Sequence, residues 1–178
     1  PPLRSSAASD VYKRQNDRVL KNASIVVGDD GRIKSISSGF KNSNGYQYID
    51  LRDYMVMPGL MDMHVHFGQQ NTSKADKPEK VEKEYSAIAA VKHARMTLDG
   101  GFTTVRQVGD SGFIAISLRD AITNGDAIGP RIFAAGKSLA TTGGHADPTN
   151  GRAFGDYVYP DPESGVVNGP YEVFAGVR

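Results

Sequence analysis

The stretch Met57-Pro58-Gly59-Leu60-Met61-Asp62-Met63-His64-Val65-His66 most restricts what this chain can become. A Pro-Gly turn opens it, an apolar run follows, and two histidines close it two residues apart. In a β-strand successive side chains point to opposite faces, so residues i and i+2 share one. His64 and His66 are therefore expected to face one site, with Met63 and Val65 turned away. Imidazole is the commonest metal ligand among side chains, and two on one strand face make half of a zinc-type ligand set. Asp62 stands two residues before His64 on the same nominal face, where a carboxylate can order a metal's ligands.

After this run the hydrophobic period changes. Residues 60–66 read as a strand and residues 79–98 as a helix. The helix stripe of Val81, Tyr85, Ile88, Val91, Ala94 and Leu98 steps by three or four. Gly100-Gly101 ends it. Residues 102–108 read as a second strand. Asp110-Ser111 is placed to cap a helix over residues 113–123, with Ile114, Leu118, Ala121 and Ile122 inward and Gly125 at its end. Residues 131–135 read as a third strand, residues 136–170 as a long loop, and residues 170–178 as the start of a third helix. Strands alternating with helices imply βα units around a parallel sheet, an α/β fold.

Residues 19–56 read differently, as a small β region. Strand-like residues 19–20 and 23–27 meet the turn Gly28-Asp29-Asp30-Gly31, and Arg32-Ile33-Lys34-Ser35-Ile36 alternates with period 2, giving a hairpin. The glycines of this turn are not a phosphate loop, because no helix and no Gly-Lys-Ser/Thr follows. Strand character returns at residues 48–51 and 54–57.

The first-strand run resembles the signature of the amidohydrolase superfamily, metal-dependent hydrolases built on a (β/α)8 TIM barrel. Gly101-Phe102-Thr103-Thr104-Val105-Arg106 resembles that family's second strand. Leu118-Arg119-Asp120-Ala121-Ile122, Gly129-Pro130-Arg131 and Thr142-Gly143-Gly144-His145 resemble its imidazolonepropionase-related and Xaa-Pro-dipeptidase-like (prolidase-like) members. The resemblance runs from about Asn16 to the end of the chain. It implies an incomplete barrel of three βα units over residues 58–178, preceded by part of a small β-sandwich over residues 16–57. At 178 residues the chain is shorter than the roughly 250 that a whole barrel typically needs.

The same resemblance implies a divalent metal, zinc first, as one or two ions held partly by His64 and His66. A carboxylated lysine, two further histidines and a carboxylate general base are expected on later strands, beyond residue 178. The implied reaction is hydrolysis of an amide-type C–N bond in a small molecule, a dipeptide first. A cyclic-amide hydrolase, an amino-sugar deacetylase and a non-catalytic scaffold of the same fold are the alternatives. On this reading the 178 residues alone are expected to be inactive.

In such barrels the active site lies at the C-terminal strand ends. That places Gln107 and Asp110 after strand 2, and Thr141, Thr142, His145 and Asp147 after strand 3, among the candidates. His145, in a glycine-lined loop, is the candidate for substrate contact. Arg106 is expected to pair with Asp62 or Asp110. His93, off the apolar stripe of its helix, is expected to be solvated, and Tyr157, Tyr159 and Tyr171 receive no role.

Composition closes other routes. A formal net charge of +1 does not suit a dedicated nucleic-acid binder. Without cysteine there is neither a disulfide framework nor a thiolate site. No apolar run reaches the length of a membrane span, so neither nucleic acid nor membrane is an expected partner. A homo-oligomer is allowed, and the compartment is open between cytoplasm and export. Residues 1–15 have no useful period and carry Arg4, Lys13 and Arg14 against Asp10. They resemble translated linker sequence more than a signal peptide, and are expected to be an unpacked, dispensable leader. Both ends of the chain read as truncated.

Overall fold

A turn of two glycines and two aspartates organises the first part of the computed structural model. Gly28 N–H donates to the Arg32 carbonyl and Gly31 N–H to that of Gly28, both at 2.9 Å. The turn joins β2, Arg18–Val27, to β3, Ile33–Ser38, as the expected antiparallel hairpin. The structure describes residues 4–13, 18–41, 45–68, 83–110, 112–147 and 162–177. The chain divides into two compact units, Pro1–Pro58 and Gly59–Arg178.

In the first unit the supposed leader is a strand. β1, Arg4–Lys13, lies between β2, to which it is antiparallel, and β4, Gln47–Val56, to which it is parallel. The sheet order is β3-β2-β1-β4. This corrects the expectation of an unpacked segment. A strand ladder is made by backbone N–H and C=O groups, which any non-proline residue supplies, so the lack of a side-chain period did not prevent pairing. Val11 is buried with Ala23 and Ile25 in the unit's core, against Leu20, Val27, Ile36, Leu51 and Val56. β4 unites the two short strands expected near residues 48 and 54, and its register against β1 shifts between Ala8 and Asp10.

The second unit holds three parallel strands in the order β5-β6-β7. β5 is Leu60–Val65, β6 is Phe102–Gln107 and β7 is Arg131–Ala134. Between them run α1, Lys83–Asp99, and α2, Ile114–Asn124. Gly59 fits where a side chain would not, since a Cβ there would stand 2.0 Å from Thr103 Oγ1. The N-cap of α2 is Phe113, in the left-handed conformation and without a side-chain cap, rather than the expected Asp110-Ser111; Asp110 reaches the first turn from further back, its Oδ2 accepting the Ala115 N–H at 2.5 Å. Gly125 closes it in the left-handed conformation.

The core of this unit is Phe67, Ala90, Ala94, Val105, Ile114, Leu118 and Ile132. Burying a side chain such as Leu118 or Ile132 contributes about 1.5–3 kcal/mol. α1 meets this core through a face that overlaps the expected stripe only in part, at Ala94 and the half-buried Leu98. Ala90 and Ala94 are fully buried and Ala87 packs beside them, whereas Tyr85, Ile88 and Val91 are exposed. Three alanines let the helix axis approach the sheet closely, and the larger residues flank the contact. Val81 of the expected stripe lies outside the described residues.

Beyond β7, a parallel bridge joins Ala140 to Val166, and a short 3-10 turn, Pro162–Ser164, precedes α3, Pro170–Val177. Among the described residues no helix is long and apolar enough to cross a membrane.

Candidate metal centre

His64, near the C-terminal end of β5, and His66, just beyond it, bring their rings together on one side. Their Nε2 atoms are 3.3 Å apart and the rings meet edge to face at 73°. Two nitrogens at about 2.0–2.1 Å from a tetrahedral zinc stand about 3.4 Å apart. The separation therefore fits two ligands of one cation, and imidazole is a donor that such cations prefer.

The tautomer of His66 follows from its partner. Nδ1 lies 2.8 Å from the Gly109 carbonyl oxygen, which can only accept. Nδ1 therefore carries the proton, and in the neutral ring Nε2 is left with a free lone pair towards His64. Gly109 adopts φ +152°, and a Cβ there would stand 1.7 Å from Ser138 Oγ. Ser138 Oγ in turn donates to the Val108 carbonyl at 3.1 Å. The carbonyl that orients His66 is thus set by a glycine wedged against the loop after β7.

Asp62 serves the pair in a different way from that expected. Its Oδ1 accepts the backbone N–H of His64 at 3.0 Å, holding the main chain rather than a ring. The β5–β6 register shifts between Asp62 and Val65, so simple alternation fails there. Asp62 and Val65 together line a cavity of about 280 Å³ against the C-terminal half of α1, with His93 and Thr97. His93 is half-buried there, not solvated, and its Nδ1 donates to the Phe67 carbonyl at 3.3 Å. Arg106 pairs with neither Asp62 nor Asp110; its Nε donates to the Met63 carbonyl at 3.2 Å.

Gln107, the last residue of β6, is fully buried. Its Oε1 accepts the Phe67 N–H and its Nε2 donates to the Gly109 carbonyl, both at 3.1 Å. Asp110 is buried as well and gives its carboxylate to the start of α2, while its Oδ1 has no partner among the described residues.

His145 is exposed in a tight turn. Asp147 Oδ2 accepts the Gly143 N–H at 2.7 Å, Gly144 N–H donates to the Thr141 carbonyl, and Asp147 N–H to that of Gly144. Asn168 ties this turn to α3. Its Oδ1 accepts the Thr142 N–H and its Nδ2 donates to Thr142 Oγ1, while its own N–H donates to Glu172 Oε2. His145 does not join His64 and His66 as a third ligand: among the described residues no group of three His, Cys, Asp or Glu is placed to hold a metal. Tyr157 and Tyr159 lie outside the described residues, and Tyr171 is exposed. Sequence reasoning missed Gly109, Phe67 and Asn168. The first two act through main-chain atoms, for which no residue type is diagnostic.

The strand that ends in these two imidazoles and the βα units after it lie within the stretch that a family model matches. The amidohydrolase family model matches residues 55–174, and the chain belongs to that family of hydrolytic enzymes. Among solved structures it is similar to a Xaa-Pro dipeptidase with methionine bound in its active site. Identity is 60% and the TM-score 0.91, over 98% of this chain and 43% of that one. A prolidase complexed with N-methylphosphonate-L-proline is 29% identical with a TM-score of 0.76, over 94% of this chain and 41% of that one. The ochratoxinase of Aspergillus niger is 28% identical over 172 residues, covering 89% of this chain. The chain spans 34% of that enzyme's length.

Proposed function

We propose that this chain is the N-terminal part of a metal-dependent hydrolase that cleaves an amide-type C–N bond, with Xaa-Pro dipeptides as the first substrate class. The observation that carries the reading is the convergence of His64 and His66 Nε2 at 3.3 Å, with the His66 tautomer set by Gly109. The likeness to a Xaa-Pro dipeptidase at 60% identity supports the substrate class. On this reading β5, β6 and β7 are the first three strands of a (β/α)8 barrel, and the β1–β4 sheet is part of a β-sandwich.

The contacts support the following roles for this chain's residues. His64 and His66 hold a divalent ion, zinc first. When bound, that ion supplies a nucleophile at neutral pH and polarises the scissile carbonyl. Asp62 fixes the main chain that carries His64, and the Gly109 carbonyl keeps the proton of His66 on Nδ1. His145 contacts the substrate from its turn, which Asp147 and Asn168 hold in shape. The general base, a carboxylated lysine and the remaining ligands belong to later strands of the whole protein. A catalytic zinc site typically has three protein ligands, so residues 1–178 alone are expected to show no turnover.

The test is hydrolysis by the whole protein of a panel containing Xaa-Pro dipeptides, other dipeptides, cyclic amides and N-acetylated amino sugars, before and after chelation. Turnover of Xaa-Pro dipeptides that disappears on chelation and returns with zinc supports the proposal. Activity that survives complete metal removal contradicts it. Preference for cyclic amides or acetylated sugars moves the substrate class, and zinc binding without turnover of any member favours the scaffold.

A further inference from the structure

One buried side chain connects the two strand ends from which the histidine pair is built. Gln107 has no exposed surface, and both ends of its amide are used. Leaving a buried donor or acceptor unpaired costs about 1–3 kcal/mol, so a glutamine in this position is retained only where its partners are fixed. Those partners are main-chain atoms of the segments after β5 and β6. The Phe67 N–H and C=O are both held, by Gln107 and His93 respectively, and Phe67 itself is 2% exposed. The Gly109 oxygen receives two donors, Gln107 Nε2 at 3.1 Å and His66 Nδ1 at 2.8 Å. A continuous set of hydrogen bonds thus runs from His93 on α1, through Phe67, Gln107 and Gly109, to the ring of His66.

We infer that Gln107 is a positioning residue for His66. It pins the Gly109 carbonyl where that oxygen selects the Nδ1–H tautomer, so that Nε2 presents its lone pair towards His64. The inference rests on the reading of His64 and His66 as metal ligands for its functional meaning, but the tautomer itself is observable without metal. It also separates Gln107 from a mere strand brace. The Val108 N–H to Val65 carbonyl bond, at 3.4 Å, already links the same strand ends. Of the two bonds, the Gln107 bond is the one that acts on the oxygen His66 uses.

The experiment uses the whole protein labelled with 15N-histidine, and Gln107→Met, which keeps the side chain's length and removes both hydrogen bonds. Long-range 1H–15N correlations of the metal-free protein report the proton position on His66. Zinc dissociation constants are measured by competition with a chromogenic chelator. The wild type is expected to show one His66 tautomer, Nδ1–H. The variant is expected to show a mixture and a zinc dissociation constant raised about 10–100-fold, the usual effect of losing a partner that orients a metal-binding histidine. Gln107→Asn, one methylene shorter and unable to reach both partners, serves if the first variant does not fold, with the same two expectations. A His66 ring that stays wholly Nδ1–H in a folded variant overturns the inference, as does an unchanged zinc affinity, even if the melting temperature falls. Should the wild type bind no zinc, the metal reading fails, and the tautomer measurement still decides the role of Gln107.

Discussion

Replacing Gly109 by alanine should damage stability and site together, by an amount the structure allows to be worked out. The φ of +152° is one that residues with a side chain rarely adopt, and such conformations cost about 1–3 kcal/mol. The new Cβ would stand 1.7 Å from Ser138 Oγ, 2.9 Å from Ser138 Cβ and 3.0 Å from Ser138 N. Overpacking of this kind adds about 1–3 kcal/mol, for a total of about 2–6 kcal/mol. Ser138→Gly removes the two side-chain clashes but leaves the backbone contact and the dihedral cost. It also loses the hydrogen bond to the Val108 carbonyl, which is worth about 1 kcal/mol. A double-mutant cycle by urea unfolding should therefore return a favourable coupling of about 1–3 kcal/mol, the overpacking that the second change relieves. Because Gly109 O orients His66, the single variant should also bind zinc more weakly. A Gly109→Ala protein within about 0.5 kcal/mol of wild type, the range of ordinary surface substitutions, would refute the wedge between Gly109 and Ser138.

Three further outcomes follow from the packing. Removing residues 1–13 takes β1 from between β2 and β4, so thermal unfolding of the first unit should move to lower temperature; an unchanged transition would return the segment to the status of a dispensable leader. Leu118→Ala, at a position 4% exposed, should cost about 2–5 kcal/mol by denaturant unfolding, and a loss below 1 kcal/mol, about the scale of an Ile→Val change, would mean that α2 is not docked as described. Asp30 accepts bonds from Lys34 Nζ and Arg32 N–H, and the bond from Lys34 foremost holds its carboxyl below the usual aspartate range. The turn's added stability is therefore present above the ordinary aspartate pKa and is lost as pH falls through the lowered one. An NMR titration that finds Asp30 at or above the ordinary value would contradict this.

What the sequence discloses is uneven, and the reasons are physical. The hairpin around Gly28 and Gly31 and the three parallel strands were legible because period 2 and period 3.6 follow directly from backbone geometry. The helix of residues 83–99 was legible as a helix and only partly in its orientation. Its large apolar residues suggested one phase, yet Ala87 and Ala90, off that stripe, pack on the core together with Ala94, which belongs to it. β1 was hidden because its pairing is a backbone property. Asp62 was misplaced because a register shift between it and Val65 breaks the alternation on which the reading relied. That the rings of His64 and His66 face one another could be expected from their spacing, whereas Gly109, which orients one of them, contributes an atom that every residue has.

The central claim, that His64 and His66 hold a divalent cation, is tested most directly by the metal content of the whole protein. Elemental analysis after purification in zinc-containing buffer and extensive dialysis should find one or two ions per chain in the wild type. His64→Ala and His66→Ala should each lower that content and weaken the zinc that remains, with His145→Ala close to wild type. Undiminished metal content and affinity in both His64→Ala and His66→Ala, in folded protein, would contradict the claim.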